Sequence, residues 1–305
     1  MRARVRKGGL IMKILHVLNT AGVASIIGKY MDRLFDTKSC VVTRKCQDKF
    51  GLTTYGEYWD CDTWAFLGKI IFESRHHDII HLHDRDILLP LLKQLYPNKP
   101  LIMHYHGTKI RGQWHKRKKY WKYADQILVV TPDLLKGAPK NAELVLNPVD
   151  KTLFFSQGNN NAPRAVHFKY RVDEIAREIA EKHNLSLLIH DRKRNPIPHI
   201  KMPAFLSEFT HLIDVKKDVR GNLLSPPDTT SKTSLEALAC GLKVIPYKGN
   251  ILRGLPYYNE PEFVVSRIYG IYQEMLSKKE EKKQIKKYTK TEHSQNFEYI
   301  TIPQV

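Results

Sequence analysis

Hydroxyl, basic and acidic side chains stand close together in the last third of the chain, in a combination suited to binding a diphosphate. Ser231, Lys232 and Thr233 open a helix-forming stretch that Gly241 closes. The first turn of a helix presents unpaired backbone N–H groups and the positive end of the helix dipole, and both favour an anion. We therefore predict a diphosphate site at this turn, with Glu236 one turn further on accepting hydrogen bonds from a ribose. The alternative interpretation is that the hydroxyls only cap the helix and that Glu236 faces solvent.

Two other positions are suited to a ligand because each follows a predicted strand. Gly22 ends the turn that begins at Asn19. A glycine there lets backbone N–H groups approach an anionic group beside a helix N-terminus, although a simple tight turn explains it equally well. His106 ends a later strand, where an imidazole can hydrogen-bond a sugar hydroxyl or stabilise developing charge. The alternative role of His106 is to cap a turn.

A pair of histidines, His81 and His83, falls within one predicted strand and is followed by Asp84. The period of two along a strand places both imidazoles on the same face. A metal site would need a third ligand in suitable geometry, and the sequence shows none nearby. We interpret the pair as core or strand-edge histidines and predict no metal site.

Short apolar runs alternate with helix-forming stretches along most of the chain. This alternation is typical of βαβ units, in which helices cover both faces of a parallel sheet. Residues 157–163 interrupt it with turn-forming residues, after which it restarts. The pattern predicts an α/β protein with two Rossmann-like domains facing a cleft, with ligands at the carboxyl ends of the strands. The predicted strands are residues 14–18, 40–43, 78–83, 100–105, 126–130, 144–146, 165–168, 185–190, 212–215 and 243–246.

The composition narrows the classes of function. The 305 residues include 50 Lys and Arg against 31 Asp and Glu, a formal net charge of +19. Such a field attracts phosphorylated substrates, anionic lipid or nucleic acid, although a lysine-rich or heat-adapted proteome explains it equally well. The four cysteines form no CxxC pair, which fits a reducing compartment. With no apolar run long enough for a membrane span, we expect a cytoplasmic protein in which residues 1–11 are an extension before Met12.

The stretch from Trp114 to Tyr123 is a predicted helix in which basic residues alternate with aromatic ones. It could lie on an anionic membrane surface with Tyr120 and Trp121 at the interface, or it could contact nucleic acid. The interpretation that we favour is a surface helix whose aromatic side chains pack inward.

The segment Thr233–Ile245 resembles the "LEAMACGxPVV" signature of family 4 GT-B glycosyltransferases, the retaining, glycogen-synthase-like group. Other segments resemble motifs of the same family in the same order. They are the first strand at 12–17, "HxHD" at 81–84, "HG" at 106–107, "ADxVIxVS" at 123–131 and "NGVD" at 147–150. The resemblance covers about residues 12–155 and 228–246.

The resemblance implies two Rossmann-like domains, with a nucleotide-sugar donor held mostly by the second. It implies transfer with retention at the anomeric carbon and without an obligatory metal. It also implies that His106 contacts the donor sugar, that Glu236 holds the ribose and that the loop of Gly22 approaches the donor phosphates.

The chain departs from the family pattern in three places. Asp228 stands eight positions before Glu236, where the family has a glutamate, and we predict that Asp228 is catalytic together with His106. Thr229 and Thr230 replace the glycines that normally follow. The basic residues that contact the diphosphate are reduced to Lys169 or Arg171, of which we assign Lys169 to the donor. The second domain is also short for the family.

These observations predict an N-terminal acceptor-side domain at 1–155, a donor-side domain at 156–280 and a polar tail at 281–305. The expected function is transfer of a sugar from a nucleotide sugar to a glycan or lipid-linked acceptor, with peripheral attachment at the inner membrane surface. Gly22, Lys169, Ser231, Lys232, Thr233 and Glu236 are the expected donor ligands. One alternative is a non-catalytic GT-B relative that binds a nucleotide or glycan as a subunit. A nucleic-acid-binding protein is the second alternative, and the less favoured one.

Overall fold

Two parallel β-sheets organise the chain, which confirms the predicted α/β class with two Rossmann-like domains facing a cleft. The computed structural model describes residues 11–107, 109–158, 162–169, 172–217, 221–224 and 230–295. The first sheet has the strand order β3-β2-β1-β4-β5-β6-β7. Its strands are β1 Met12–Val17, β2 Thr37–Arg44, β3 Glu57–Trp59, β4 Ile79–His83, β5 Leu101–Tyr105, β6 Gln126–Val129 and β7 Ala142–Leu144.

Four helices accompany the first sheet: α1 Val23–Leu34, α2 Thr63–His76, α3 Leu89–Leu95 and α4 Trp114–Trp121. Alternation along the buried strands divides the apolar side chains between the two faces. On β1, Leu15 and Val17 join the core beneath α2 and α3, whereas Ile14 joins the core beneath α1. Both faces are therefore buried, as expected for a parallel sheet.

The second sheet has four strands in the order β13-β10-β8-β9, all parallel. A short antiparallel pair, β11 and β12, follows β10. The strands are β8 Arg164–Phe168, β9 Ser186–His190, β10 His211–Asp214, β11 Lys216–Lys217, β12 Leu223–Leu224 and β13 Lys243–Pro246. The helices are α5 Asp173–Lys182, α6 Met202–Leu206 and α7 Lys232–Ala239.

The long helix α8, Pro261–Gln295, returns to the first domain. Its apolar residues Val265, Ile268 and Tyr272 are fully buried in the core that α1 forms on the first sheet. This part of α8, which the sequence assigned to the second domain, thus packs on the first sheet. The apolar stripe of α8 packs on the first sheet, whose strands lie far from α8 in the sequence. No local pattern therefore indicates this contact.

Hydrogen bonds hold the two segments in which the chain passes from one domain to the other. The carboxylate of Asp150 accepts a hydrogen bond from Lys29 Nζ at 2.8 Å and one from the Tyr30 hydroxyl at 3.1 Å. The side-chain amide of Asn259 donates to the carbonyl of Asn147 at 2.9 Å. The two segments that connect the domains, before β8 and before α8, are thus fixed to each other and to α1.

The basic helix α4 packs its aromatic side chains inward. Trp114 is buried, its indole N–H donates to the Leu134 carbonyl, and Trp121 packs against the same core. Arg117 donates to the fully buried carboxylate of Asp86 at 2.6 Å. These contacts agree with the favoured interpretation of a surface helix. Within the described residues, no helix is long and apolar enough to cross a membrane.

Candidate functional site

A cavity of about 230 Å³ lies between the two domains, where the carboxyl ends of both sheets face each other. Its polar side comes from the second domain and includes three of the predicted donor residues, Lys232, Thr233 and Glu236. The first domain contributes Ala21, beside the predicted Gly22. The remaining lining residues are Phe50, Leu52, Arg192, Ile197, His199 and Met202. The predicted residues are thus three of the five polar residues of the lining, and the sequence did not indicate the other two, Arg192 and His199.

The start of helix α7 is fixed by a buried carboxylate. The Ser231 hydroxyl accepts the Ser234 N–H at 3.0 Å, which makes Ser231 the N-cap, and it donates to Asp214 Oδ2 at 2.9 Å. The Ser234 hydroxyl donates to the same oxygen. Burial raises the pKa of Asp214, but Lys216 at 3.1 Å and the serine hydroxyls outweigh it and hold the pKa below its usual value. The hydroxyl of Ser231 is therefore engaged in capping, as the alternative interpretation held.

Glu236 and Lys232 form a buried pair on one face of α7. Their carboxylate and ammonium lie 3.5 Å apart, and both side chains are at most one-tenth exposed. Lys232 Nζ also donates to the Pro148 carbonyl at 2.6 Å, which links α7 to the first connecting segment. Burial lowers the pKa of Lys232, and the charge of Glu236 opposes that shift. An ammonium has three donors, so this arrangement leaves capacity for a ligand oxygen in the cavity.

Arg192, in the loop after β9, reaches the same cavity from the opposite side of α7. Its guanidinium donates to the Thr233 hydroxyl at 3.1 Å and stacks 3.8 Å above the Phe168 ring centroid. Its Nε is buried and, within the described residues, has no hydrogen-bond partner. A guanidinium held flat by an aromatic ring, with an unpaired donor, is suited to an anionic oxygen ligand.

Gly22 stands at the edge of the first domain that faces His199 of the second. It has a φ of +74° at the N-cap of α1. An added Cβ would lie 3.3 Å from the Leu52 carbonyl oxygen and 3.9 Å from His199 Nε2. Across the same gap, the His199 N–H donates to the Phe50 carbonyl at 2.7 Å. The position therefore requires a residue without a side chain, and the two domains touch at the rim of the cavity.

Two other predicted site residues, His106 and Lys169, are not in the lining of the cavity that the structure describes. His106 follows β5, where its Nε2 is 3.0 Å from His83 Nδ1, and it is not among the described residues that line the cavity. Lys169 is half exposed and lies 3.7 Å from the carboxylate of Asp191. Asp228 and Arg171 lie outside the described residues. The roles predicted for all four therefore stay predictions.

Of three comparisons with known proteins, the search of solved structures is the one that finds matches. Neither a scan of protein-family models nor a search of curated proteins finds a match. Among solved structures, UDP-GlcNAc 2-epimerase from Methanocaldococcus jannaschii has 10% identity and a TM-score of 0.47, with 85% of this chain and 99% of that chain covered.

Two further solved structures have similar coverage. The UDP-GlcNAc 2-epimerase from Neisseria meningitidis, bound to UDP-GlcNAc, has 11% identity and a TM-score of 0.46, with 87% and 94% of the two chains covered. A DNA-modifying β-glucosyltransferase has 12% identity and a TM-score of 0.38, with 94% and 98% covered. This likeness concerns the arrangement of the chain alone, and the residues of the cavity carry the functional inference.

Proposed function

We propose that the chain binds a nucleotide sugar in the cleft between its domains and transfers the sugar to an acceptor. The observation that carries the proposal is the polar lining of the cavity. Arg192 and Lys232 bring two positive charges to the N-terminus of α7, and Glu236 stands one turn inside the helix. The cations and the helix dipole favour a diphosphate, and a buried carboxylate is suited to a pair of ribose hydroxyls.

The same groups would also assist the reaction. When the bond between the sugar and the diphosphate breaks, negative charge builds on the leaving phosphate oxygen. Arg192, Lys232 and the first N–H groups of α7 are held in place before that happens, so they can stabilise the charge with little reorganisation. We assign the steadying of the electron-poor sugar ring to His106, which requires the first domain to move relative to the cavity.

The size of the cavity indicates that the cleft opens for the ligand. Pockets for small molecules usually measure about 300–1,000 Å³, and this cavity of about 230 Å³ is smaller. The rim contact between His199 and Phe50 is a single backbone hydrogen bond, so separating the domains there costs little. We expect a closed state in this structure and an open state that admits the nucleotide.

The first test is a thermal-shift screen of the purified protein with UDP, GDP, ADP, CMP and their sugar conjugates. A ligand at 100 times its Kd should stabilise the folded state by about 2.7 kcal/mol. The shift should appear with one nucleotide and fall in Glu236→Gln, since the amide has one acceptor oxygen where the carboxylate has two and carries no negative charge. Comparison of each variant with and without ligand removes any change in its own stability. Absence of a shift with every nucleotide would refute the proposal.

Product analysis then separates transfer from other chemistry. Transfer or hydrolysis releases the free nucleoside diphosphate, whereas epimerisation, the activity of several structurally similar proteins, leaves the sugar on the nucleotide with an inverted carbon. Binding without either product would indicate the non-catalytic relative.

Replacing Arg192 with methionine should weaken nucleoside diphosphate binding by roughly 10- to 150-fold, because a hydrogen bond to a charged group contributes about 1.5–3 kcal/mol. Arg194→Met is the matched control. It removes the same charge from the same loop, but the Arg194 side chain is 84% exposed and lies 3.9 Å from Asp191. Calorimetric titration of both variants checks the prediction. Equal loss in the two variants would mean that only the overall charge attracts the ligand.

A further inference from the structure

Five histidines form a continuous cluster on one face of the first sheet. His16 on β1 pairs in register with His81 on β4, and His83 on β4 pairs with His104 on β5. His106 follows two residues after His104 and therefore returns to the same face. The rings lie 4.4–5.6 Å apart between neighbouring centroids. We name this group the histidine cluster.

The histidine cluster is buried, and its hydrogen bonds are incomplete. His83 contacts His16 Nδ1 at 3.3 Å and His106 Nε2 at 3.0 Å, and His81 Nδ1 contacts the Tyr272 hydroxyl at 2.6 Å. Among the described residues, both ring nitrogens of His104, Nδ1 of His106 and Nε2 of His16 and His81 lack a partner.

Two polar groups beside the cluster do not complete these hydrogen bonds. The backbone of Val145 lies near His104 and the side chain of Asn147 lies near His106, close enough to raise the pKa of each ring, but each group can serve one nitrogen only, so His104 keeps at least one nitrogen unpaired. An unpaired buried polar group costs about 1–3 kcal/mol. Several such atoms in one place make the cluster suited to a ligand that would satisfy them.

The nitrogen atoms are spaced for a metal ion. In His83, His104 and His106, one nitrogen from each ring lies within 4.8 Å of the other two, and the same holds for His16, His81 and His83. A zinc–nitrogen bond of about 2.0–2.1 Å places tetrahedral ligands roughly 3.3 Å apart. Small ring rotations would therefore close either set around one ion, with the contact between two histidines replaced by bonds to the metal.

The outer set, with His106, is the better site. His106 is partly exposed, which gives an ion access, whereas His16, His81 and His83 are fully buried. The carboxylate of Asp84 accepts a hydrogen bond from the backbone N–H of His106 at 3.0 Å, which places a negative charge beside the outer set. A divalent charge held by neutral imidazoles needs such an anion in a buried setting.

We propose that His83, His104 and His106 bind one divalent transition metal ion of the kind that prefers imidazole ligands, with Zn²⁺ as the reference ion. A set of three histidines matches the His₃ ligands of catalytic zinc sites more closely than the cysteine-rich sets of structural ones. The site lies apart from the residues that line the nucleotide cavity, so metal binding can be tested without the proposed function. The two proposals share His106, and a metal-bound His106 would act on the sugar through the ion and not through its own ring nitrogen.

The test is titration of EDTA-treated, dialysed protein with Co²⁺ and then Zn²⁺. We expect one Co²⁺ per chain with a visible absorption band of a low-coordinate site, which Zn²⁺ then abolishes. Loss of a partner outside the ligands already weakens metal binding by about 10- to 100-fold. Loss of a ligand in His104→Gln or His106→Gln should therefore weaken it by roughly 100-fold or more. His115→Gln, at an exposed histidine of α4, should bind like the unchanged protein.

Three outcomes would overturn the assignment. The first is a folded protein that takes up no stoichiometric Co²⁺ or Zn²⁺, which would mean that water or ring stacking completes the cluster. The second is binding that survives in both His104→Gln and His106→Gln but falls in His115→Gln, a surface effect. The third is binding that falls in His16→Gln and survives in His106→Gln, which would assign the inner set instead. Circular dichroism checks that each variant is folded, and His106→Gln serves if His104→Gln does not fold.

Discussion

Lowering the pH from 7 to 5.5 should reduce the free energy of unfolding of the metal-free protein by about 5 kcal/mol, a large share of a typical domain's stability. Four histidines of the first sheet cause this loss. Burial lowers the pKa of His16 to about 3 and lowers the pKa of His81, His83 and His104 well below the usual value. The folded chain therefore keeps these rings neutral at pH 5.5.

The sign follows from proton uptake. In the unfolded chain each histidine regains a pKa of about 6.5, so below that pH the unfolded state binds more protons than the folded state. Stability is therefore present above about pH 6.5 and falls as the pH drops. Each histidine contributes roughly 1.2 kcal/mol between pH 7 and 5.5, which gives about 5 kcal/mol for four.

Tryptophan fluorescence during urea unfolding in EDTA measures this effect in the first domain alone. All four tryptophans, Trp59, Trp64, Trp114 and Trp121, belong to that domain. The exposed His115 provides the control, because His115→Gln should leave the pH dependence unchanged. A loss smaller than about 1 kcal/mol would show that the histidine cluster takes up protons in the folded state.

The sequence predicted those parts of the fold that local patterns determine. Apolar runs identified ten strands, and the cap at Ser231 with the closing turn at Gly241 identified α7. The sequence did not predict helix α2, because its apolar residues do not form one buried stripe. Only Phe66, Ile70 and Ser74 are buried on it, while Trp64 and Phe72 are exposed. Strand β3, with three residues at the sheet edge, was too short to give a period-two signal.

The site residues that could not be predicted are brought together by contacts between segments distant in the sequence. Arg192 is held at the cavity by a hydrogen bond to Thr233, 41 positions later, and by stacking on Phe168. Neither contact leaves a local pattern in the sequence. The third and fourth imidazoles beside His81 and His83 come from β1 and β5, so only the strand register brings them together. The polar residues at the start of α7 could be predicted because they stand next to each other in one short segment. Groups that meet across strands were not.

Replacing Asp214 with asparagine should destabilise the second domain by about 3 kcal/mol, the lower end of the cost of breaking a buried ion pair. Asp214 is 5% exposed and binds Ser231, Ser234 and Lys216. An amide oxygen can still accept from the serines, but the partly exposed ammonium of Lys216 loses its ion pair with the carboxylate. Hydrogen exchange of residues 232–239 should rise together with the fall in thermal stability. Glu208→Gln, at an exposed carboxylate of the same domain, should change neither.

The charge can be separated from the cap by a double-mutant cycle. If the ion pair carries most of the effect, Asp214→Asn should cost clearly less in a Lys216→Met background than in the unchanged protein. If the cost is the same in both backgrounds, the serine hydroxyls carry it. In that case α7 loses its N-terminal anchor through the hydroxyl contacts and not through the ion pair with Lys216. Because Lys232 and Thr233 of that turn line the cavity, a frayed start of α7 should also weaken nucleotide binding while Arg192 and Glu236 are unchanged. Nucleotide affinity in Asp214→Asn would therefore connect the stability of the helix cap to the proposed function.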